Sequence, residues 1–401
     1  MIRMTLSWRS IISVISAYLI GSISPSYFLG KLLKGIDIRQ HGEGNAGTVN
    51  TYKVLGLTPA IITAIFDTGK GFIAALIAQQ VGVSYPFNFA IAYIAVTGHV
   101  FPFYLQFRGG QGVATAVGII LYFLFRFVAV GHFPFLSLLI LLLFVLSLSY
   151  VVQIGEIVGV FTLPVLGFLA LIHLKGNPES LIFLIFLLHV FFINLLNIHK
   201  KRIKLKPETL TQIKWARFFA RPFAVLFIVI YFLTSRKTIV ILTASVTLFF
   251  ILLDLIRLSR KGINRFMMET LSFIFKNKEE HSFSSMTNFM ISALLGFLLF
   301  PREIACAAIL FPVFGDMFAK LFGLEYGRTR LYHKTLEGSI IYLSFSILAG
   351  YFYSLFTGFP YHLIIAGAVA ATVAEVLPWN IDDNLSGVLI SGTAMHLFYV
   401  L

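Results

Sequence analysis

Two glycine-rich segments in the first half of the chain contain the residue types that bind anions. Residues 35–56 read GIDIRQHGEGNAGTVNTYKVLG, and residues 98–115 read GHVFPFYLQFRGGQGVAT. Glycine lets backbone N–H groups approach an oxyanion closely, asparagine tolerates left-handed backbone, and arginine and lysine add positive charge. The second segment also runs into an apolar helix, whose N-terminal amides favour an anion. The two segments therefore predict a pair of phosphate-binding loops, with a turn-rich connector as the plainer alternative.

The residues of this loop pair divide into two predicted roles. The anion-binding set comprises Arg39, Gly44, Gly47, Arg108, Gly109 and Gly110. The catalytic set comprises Asn45, Asn50, Lys53 and His99. No Ser-His-Asp arrangement offers a general base, so catalysis would depend on positioning and electrostatics. His99 is the nearby titrating group, and a hydrogen-bonded histidine at the membrane interface is an equal interpretation of it.

A second set of polar residues lies beside apolar runs near the end of the chain. A carboxylate next to a membrane helix costs several kcal/mol unless it is paired, solvated or bound to a cation. Residues 334–339 read KTLEGS and begin an apolar helix, which suits phosphate contact. The predicted roles are catalytic for Lys334 and Glu337, phosphate-binding for Thr335, Gly338 and Ser339, and Mg²⁺-binding for Asp316, Glu375 and Asp383. The alternative is a set of helix-end carboxylates that reach water.

The elements that must position these residues are membrane helices. The chain has 401 residues, of which 58% are hydrophobic and 12% are charged, and its mean hydropathy is +0.90. Repeated apolar runs with short polar connections are typical of helices that satisfy their backbone hydrogen bonds within lipid. We predict an all-α polytopic membrane protein of helical bundles, with about 14 transmembrane helices in two halves of seven. The predicted spans are residues 11–30, 57–81, 87–106, 113–130, 133–150, 152–173, 180–198, 218–234, 238–256, 287–300, 304–322, 338–356, 362–379 and 385–401.

The basic residues indicate membrane orientation rather than nucleic-acid binding. The formal net charge is +14, but the lysines and arginines lie in short loops between apolar runs, as the positive-inside rule predicts. The loops at 31–56, 107–112 and 199–215 are basic, whereas those around Val83 to Tyr85 and Gly131 to His132 are nearly uncharged. We therefore predict a multi-pass cell-membrane protein whose motifs face the cytoplasm and which has no nucleic-acid partner.

The longest hydrophilic interruption between two apolar blocks runs from His199 to Lys214. It predicts a basic linker at residues 201–215, between one domain at 1–200 and a second at 216–401. Most of the lysines in the linker are expected to touch anionic lipid head groups rather than to take part in catalysis.

The first-half motifs GSISPSYFLGKL, DIRQHGEGNAG and GHVFPFYLQFRGGQGVAT resemble those of the PlsY-type membrane glycerol-3-phosphate acyltransferase family. The resemblance covers residues 11–206. It implies a seven-helix domain that moves an acyl group from acyl phosphate, the donor, to the 1-hydroxyl of glycerol 3-phosphate or a related acceptor, giving lysophosphatidic acid among membrane lipids. It also adds Gln111 and Asn197 to the predicted binding residues.

Three positions depart from the residues that the family usually carries. Glu43 stands where the family has serine, Lys53 where it has arginine, and Gln111 where it has lysine. The changes at Glu43 and Gln111 remove favourable interactions with a phosphate dianion, and Glu43 adds a repulsive charge. Two interpretations stay open: an acyltransferase with a changed acceptor or weakened activity, and a degenerate domain that serves as a scaffold.

The second-half motifs resemble the CTP-dependent lipid kinase family, which includes dolichol kinase, phytol kinase and the yeast-type diacylglycerol kinase. Over residues 215–401 the resemblance is carried by Gly315, Asp316, Ala319, Gly323, Gly327, Lys334, Glu337, Gly338, Ser339, Glu375, Asp383 and Asn384. It implies transfer of a phosphoryl group from CTP to a lipid alcohol, with Mg²⁺ as the bridging ion. Arg217 and Arg221 lie where an arginine, lysine and histidine motif is common, and its histidine is absent.

A membrane transporter is the competing interpretation from a different class. A transporter needs charged or small residues distributed through helix centres along a path. In this sequence the polar residues collect at predicted helix ends on one face, which favours an enzyme. A third interpretation keeps only the lipid kinase active, with the first half as its platform.

Overall fold

The computed structural model describes most of the chain. The described ranges are residues 8–80, 87–177, 179–275, 277–379 and 382–400, without the side chains of residues 87, 88, 277 and 278. The predicted loop around Val83 to Tyr85 lies outside these ranges. Within them the regular structure is helical apart from one antiparallel ribbon, in which β1 (Arg330–Leu331) pairs with β2 (Lys334–Thr335). The predicted all-α polytopic membrane fold is confirmed.

The first half of the chain forms nine helices within the described residues. They are α1 (Trp8–Ser22), α2 (Pro25–Lys34), α3 (Thr48–Leu55), α4 (Leu57–Gln80), α5 (Phe87–Val100), α6 (Val113–Ala129), α7 (Phe135–Val152), α8 (Gly155–His173) and α9 (Glu179–Lys200). The first predicted span divides into α1 and α2 because Ser24 accepts a hydrogen bond from the Tyr27 N–H and Pro25 takes the first helical position, so a new helix begins there. Short 3₁₀ turns at Ile38–Gln40 and Phe103–Leu105 lie in the two loops.

The second half forms eleven helices within the described residues. They are α10 (Pro207–Gln212), α11 (Trp215–Ala220), α12 (Val225–Leu233), α13 (Arg236–Ser259), α14 (Lys261–Thr270), α15 (Ser285–Leu299), α16 (Arg302–Leu310), α17 (Met317–Tyr326), α18 (Leu336–Thr357), α19 (Tyr361–Val376) and α20 (Asp383–Val400). A π-helical segment, Phe311–Asp316, joins α16 to α17 and ends at a predicted site residue. Single π turns of this kind frequently mark functional sites.

Nine helical segments of the described chain are long and apolar enough to cross a membrane. They are Trp8–Lys34, Leu57–Gln80, Phe135–Val152, Gly155–His173, Glu179–Lys200, Trp215–Leu233, Arg236–Ser259, Arg302–Tyr326 and Leu336–Thr357. Four shorter apolar helical segments fall on further predicted spans: Phe89–Leu105, Val113–Ala129, Ser285–Leu299 and Tyr361–Val376. The last predicted span, 385–401, falls on α20, which is in neither group.

The chain forms two compact units. The first unit comprises Met1–Leu141 and Gly155–Ile203, and the second comprises Leu142–Ile154 and Lys204–Leu401. The segment Leu142–Ile154 groups with the second unit, whereas the predicted first domain, 1–200, includes it. Phe144 explains this grouping, because its ring packs edge-on against that of Phe345 with centroids 5.1 Å apart. The predicted linker, 201–215, contains α10.

Each unit has a core built on small residues. In the first unit α4 and α6 approach closely, since a Cβ on Gly71 would clash with the Thr115 carbonyl oxygen. In the second unit every residue of α16 from Ile304 to Leu310 is buried. Small residues let membrane helices approach one another, and a helix that is apolar all round must be covered all round. The second loop directly precedes α6. The contact between α4 and α6 therefore also fixes the position of α4 relative to that loop.

We predict that Gly71→Leu destabilises the first unit by roughly 1–3 kcal/mol, because the larger side chain separates α4 from α6. The measurement is the thermal unfolding midpoint of the purified protein in detergent. Gly69→Leu on the same helix is the matched control, since nothing lies within 4 Å of a Cβ there. Equal midpoints for the two variants would contradict the close packing of α4 on α6.

Candidate functional site

Asn50, at the start of α3, is the hydrogen-bonding centre of the first loop. Its side chain is fully buried. Nδ2 donates to the carbonyl oxygens of Ile38 at 3.0 Å and Asn45 at 2.7 Å, and Oδ1 accepts from the Glu43 N–H at 2.7 Å. All three partners are backbone groups of the loop. In this structure the Asn50 side chain shapes the loop, and its predicted catalytic role stays a prediction.

Arg39 ties the first loop to the second. Its Nε and Nη2 donate to the two carboxylate oxygens of Asp37 at 2.9 and 2.6 Å, and its Nη1 donates to the carbonyl oxygens of Leu105 and Arg108 at 2.5 and 3.3 Å. The hydrogen bond from Arg39 lowers the pKa of the Asp37 carboxyl, although burial opposes the shift. Most donors of the guanidinium are thus used inside the protein, and the predicted role of Arg39 as an anion ligand stays a prediction.

The glycine amides of both loops are also used inside the protein. Gly44 donates to the His41 carbonyl, Gly47 to the Asn45 side chain, Gly109 to the Val100 carbonyl and Gly110 to the His99 carbonyl. The Ala46 N–H donates to the Gly109 carbonyl at 3.3 Å, which pairs the two loops. These four glycines were predicted to present their amides to an anion. Instead the amides hold the loops together, because each buried N–H needs a partner.

His99 belongs to a buried charged group that the sequence analysis missed. Lys70 Nζ lies 2.8 Å from Asp67 Oδ1, 2.7 Å from His99 Nδ1 and 2.9 Å from the Ile23 carbonyl oxygen. The side chains of Lys70 and Asp67 are almost completely buried, and His99 is 4% exposed. An ammonium group only donates, so His99 Nδ1 accepts. The imidazole of His99 also lies close to Gly110, where an added Cβ would clash with it, and the predicted catalytic role of His99 stays a prediction.

The signal for this group was present in the sequence. Asp67 and Lys70 lie three residues apart within the apolar run that forms α4. Ionisable residues inside a membrane helix are expensive, and a spacing of three places both on one helix face. The predicted site residues of the first unit lie mainly in the loops, and Asp67 and Lys70 on α4 were not among them.

Lys53, predicted to be catalytic, belongs to a cluster of four charges. Lys53 Nζ lies 2.9 Å from Glu43 Oε1, and Lys201 Nζ lies 3.4 Å from the same oxygen and 2.6 Å from Glu156 Oε1. Burial raises the pKa of the Glu43 carboxyl, but the hydrogen bond from Lys53 and the charge of Lys201 outweigh it and lower the pKa overall. Burial lowers the pKa of Lys201, but Glu156 and Glu43 outweigh it and raise the pKa overall. Glu43 and Lys201 are therefore charged at neutral pH.

The remaining predicted residues of the first unit are Gln111, Asn197, Asn45 and Arg108. Gln111 and Asn197 form a reciprocal amide pair, with hydrogen bonds of 3.1 and 2.8 Å. Asn197 lies four residues before Lys201, so the end of α9 contacts the second loop through one residue and the first loop through the other. Asn45 is half-buried, and Arg108 is exposed to solvent. The structure thus joins both loops to α9, with Arg108 as an exposed cation at the rim.

Seven predicted residues of the second unit line one cavity of about 490 Å³. They are Asp316, Lys334, Thr335, Gly338, Ser339, Glu375 and Asp383. Thr335 is the N-cap of α18, and its side chain accepts from the Gly338 N–H at 3.1 Å. The amide of Gly338 therefore already has a hydrogen-bond partner. Lys334, Thr335, Gly338 and Ser339 of the KTLEGS motif form part of the cavity wall.

Lys334 is the electrostatic centre of this cavity. Its Nζ lies 2.7 Å from Glu375 Oε1 and 2.8 Å from Asp383 Oδ2. Burial lowers the pKa of Lys334, but the charges of Asp316, Glu375 and Asp383 outweigh it, so the pKa is raised and the ammonium is retained at neutral pH. Asp316 is paired with Arg221, whose Nη1 lies 2.5 Å from Asp316 Oδ2.

Glu337 faces away from the cavity. Its carboxylate is 1% exposed and accepts hydrogen bonds from the backbone N–H groups of Arg328 and Thr329 at 2.9 and 3.1 Å. Arg328 Nε lies 3.4 Å from the same carboxylate. Glu337 holds the turn that leads into the β1–β2 ribbon, which carries Lys334, and its predicted catalytic role stays a prediction.

The predicted metal ligands line one cavity without forming a three-carboxylate cage. In the part of the chain that the structure describes, no three His, Cys, Asp or Glu side chains come together as a metal-binding group. Lys334 stands between Glu375 and Asp383 instead. The donor chemistry still fits Mg²⁺, which binds through one or two carboxylates together with substrate phosphates. Glu375 Oε2 supports that fit, because it is buried and has no hydrogen-bond partner among the described residues.

A second cavity of about 210 Å³ adjoins the polar one. The two share Arg221, Ser285 and Asn384 in their walls. The rest of the smaller cavity is mostly apolar, with Phe223, Phe227, Phe250, Phe289, Met290 and Val313 among its lining residues. The sequence did not predict this cavity, because its residues come from five separate segments. An apolar chamber that opens at its polar end onto carboxylates and a lysine suits an amphiphile.

The fold and the loop pair define a polytopic membrane protein with an interfacial polar site. A family model described as glycerol-3-phosphate acyltransferase matches residues 11–205. The glycerol-3-phosphate acyltransferase of Streptococcus equi subsp. zooepidemicus (strain MGCS10565) is 34% identical over 211 residues, which are 50% of this chain and 92% of that protein. Through its first half, the chain belongs to the glycerol-3-phosphate acyltransferase family.

Two further comparisons are with another curated relative and with a solved structure. The glycerol-3-phosphate acyltransferase of Streptococcus thermophilus (strain CNRZ 1066) is 36% identical over 161 residues, 39% of this chain and 71% of that protein. The crystal structure of PlsY, an integral membrane glycerol 3-phosphate acyltransferase, in its glycerol 3-phosphate form is 28% identical, with a TM-score of 0.38. That match covers 48% of this chain and 90% of the other.

We predict that Lys70→Met destabilises the first unit by about 3–5 kcal/mol, because it leaves the Asp67 carboxylate buried without a cation. The thermal unfolding midpoint in detergent measures the loss. The double variant Asp67→Asn, Lys70→Met removes both charges and should recover much of the stability. A single variant as stable as the unmodified protein would contradict the role of Lys70 as the partner of Asp67.

Proposed function

We propose that the first unit transfers an acyl group from acyl phosphate to glycerol 3-phosphate, or to a related acceptor, at the cytoplasmic surface of the membrane. Family membership supports the reaction class. The observation that carries the proposal for this chain is the closure of the two loops on each other and on α9, through Ala46, Arg39 and the Gln111–Asn197 pair. This closure builds a polar rim at the ends of apolar helices.

In the proposed reaction the acceptor hydroxyl oxygen bonds to the acyl carbonyl carbon, and the bond from that carbon to the phosphate oxygen breaks. Inorganic phosphate leaves and takes up the hydroxyl proton. A rigid loop pair contributes by holding the two reactants in an attacking geometry, which accelerates a reaction without a dedicated base. Arg108, exposed at the rim, and Asn45, half-buried beside it, are the predicted residues still open to a substrate. The buried His99 acts at a distance, by fixing the backbone at Gly110.

We predict that Gly110→Ala lowers kcat/KM for acyl transfer on the order of a hundredfold, because the added methyl displaces His99 and the second loop. The assay gives the purified protein acyl phosphate and glycerol 3-phosphate and measures lysophosphatidate by mass spectrometry. Gly155→Ala is the control, since nothing lies within 4 Å of a Cβ there. No turnover by the folded, unmodified protein would refute the acyltransferase proposal and favour the scaffold.

We further propose that a separate domain, which begins near residue 216 and lies in the second unit, phosphorylates a lipid alcohol with CTP at the membrane surface. The observation that favours this function is the polar cavity around Lys334 with the apolar cavity beside it. When bound, Mg²⁺ would neutralise phosphate charge through Asp316, Glu375 and Asp383. Lys334 would hold the transferred phosphate, and the apolar cavity would take the first part of the lipid chain.

We predict that Asp316→Asn abolishes phosphorylation of diacylglycerol or polyprenol, lowering the rate at least on the order of a hundredfold, because it removes an anionic ligand and the partner of Arg221. The assay uses radiolabelled CTP, Mg²⁺ and lipid in detergent micelles. Glu303→Gln, which removes a largely exposed carboxylate, is the control. An unchanged rate in Asp316→Asn would eliminate this site, and flux of unmodified lipid across sealed vesicles would favour a transporter.

A further inference from the structure

Two lysines from distant parts of the first unit point at a single carboxylate oxygen. Lys53 lies on α3 and Lys201 follows α9, and their ammonium groups lie 2.9 and 3.4 Å from Glu43 Oε1. The side chain of Glu43 is 16% exposed, whereas that of Lys53 is 54% exposed. The Glu43 carboxylate is thus held between the ammonium groups of Lys53 and Lys201, at the edge of the loop pair.

The charges of this cluster are balanced without any ligand. Lys53 and Lys201 contribute two positive charges, and Glu43 and Glu156 contribute two negative charges. Gln111 is neutral and already paired with Asn197. Carboxylate and phosphate oxygens accept the same charge-assisted hydrogen bonds from ammonium groups. A phosphate that binds the two lysines must therefore displace Glu43.

The loop permits this displacement without unfolding. The Glu43 N–H is fixed by Asn50, but the carboxylate has no hydrogen-bond donor of its own loop and is held by Lys53 and Lys201. Rotation of the Glu43 side chain alone would free the ammonium groups of Lys53 and Lys201 for another anion. The backbone of the loop and its contacts with the second loop would stay in place.

We propose that Glu43 is an internal competitor for the phosphate group of the acceptor and so determines acceptor specificity in the first unit. This inference rests on the proposed acyltransferase function and deepens it. While Glu43 occupies the lysines, a dianionic acceptor such as glycerol 3-phosphate binds weakly. An acceptor whose phosphate carries less charge meets less repulsion from the displaced carboxylate.

The test is the binding of glycerol 3-phosphate to the full-length protein in detergent, measured by isothermal titration calorimetry without an acyl donor. We expect Glu43→Gln to lower Kd roughly five- to tenfold, because it removes a negative charge next to the ligand. Glu208→Gln is the matched control: it makes the same charge change at an exposed residue of the second unit and should leave Kd unchanged. An unchanged Kd in Glu43→Gln would overturn the proposal.

A second set of variants separates competition from a merely structural role. Lys53→Gln should weaken binding, and the gain from Glu43→Gln should largely disappear in the double variant, because one of the freed lysines is gone. Glu43→Ser replaces Glu43→Gln if the latter does not fold. Full retention of the gain in the double variant, or no binding by any variant at millimolar concentration, would also overturn the proposal.

Turnover distinguishes this proposal from the one on which it rests. Tighter binding in Glu43→Gln without acyl transfer by any variant would refute the acyltransferase function and leave the competitor role in place. Acyl transfer with the same Kd and KM in Glu43→Gln and the unmodified protein would support the acyltransferase function and refute the competitor role.

Discussion

Buried charge near the lipid needs a partner from the protein itself, and both candidate sites are organised by that constraint. In the first unit Lys70 contacts Asp67, His99 and the Ile23 carbonyl, so one ammonium joins α4, α5 and the end of α1. In the second unit Lys334 joins the β1–β2 ribbon to α19 and α20. Each lysine therefore fixes the helix ends from which a site is built.

The same constraint explains why the glycine-rich loops do not present open amides. A buried backbone N–H needs a hydrogen-bond partner from the protein, and Gly109, Gly110 and Ala46 find theirs within the loop pair. The bonds of Gly109 and Gly110 close the second loop on itself, and the bond from Ala46 to Gly109 ties the first loop to the second. A loop pair fixed in this way can position a reactant through side chains at its rim, such as Arg108.

The sequence predicted features that depend on composition, such as membrane helices, better than features that depend on geometry, such as the direction of a side chain. Apolar runs predicted the helices because lipid imposes length and hydropathy on a span. The KTLEGS motif predicted phosphate contact at the start of a helix, and Lys334 and Ser339 line a cavity there. The direction of Glu337 was not predictable, since it depends on the turn at Arg328 and Thr329. The contacts of Asn50 were not predictable either, because a loop-shaping amide and a substrate-binding amide look alike in sequence.

In both sites the lysine ammonium groups are paired with carboxylates of the protein itself. A phosphate would have to displace a carboxylate in order to bind. Lys53 and Lys201 face Glu43 in the first unit, and Lys334 faces Glu375 and Asp383 in the second. Binding is then an exchange of one anion for another, in which the gain at the lysine is largely offset by the loss of its former partner. Such an exchange keeps the polar groups satisfied before and after binding. It also makes affinity depend on the difference between two similar interactions, so that a single carboxylate can decide which phosphate is accepted.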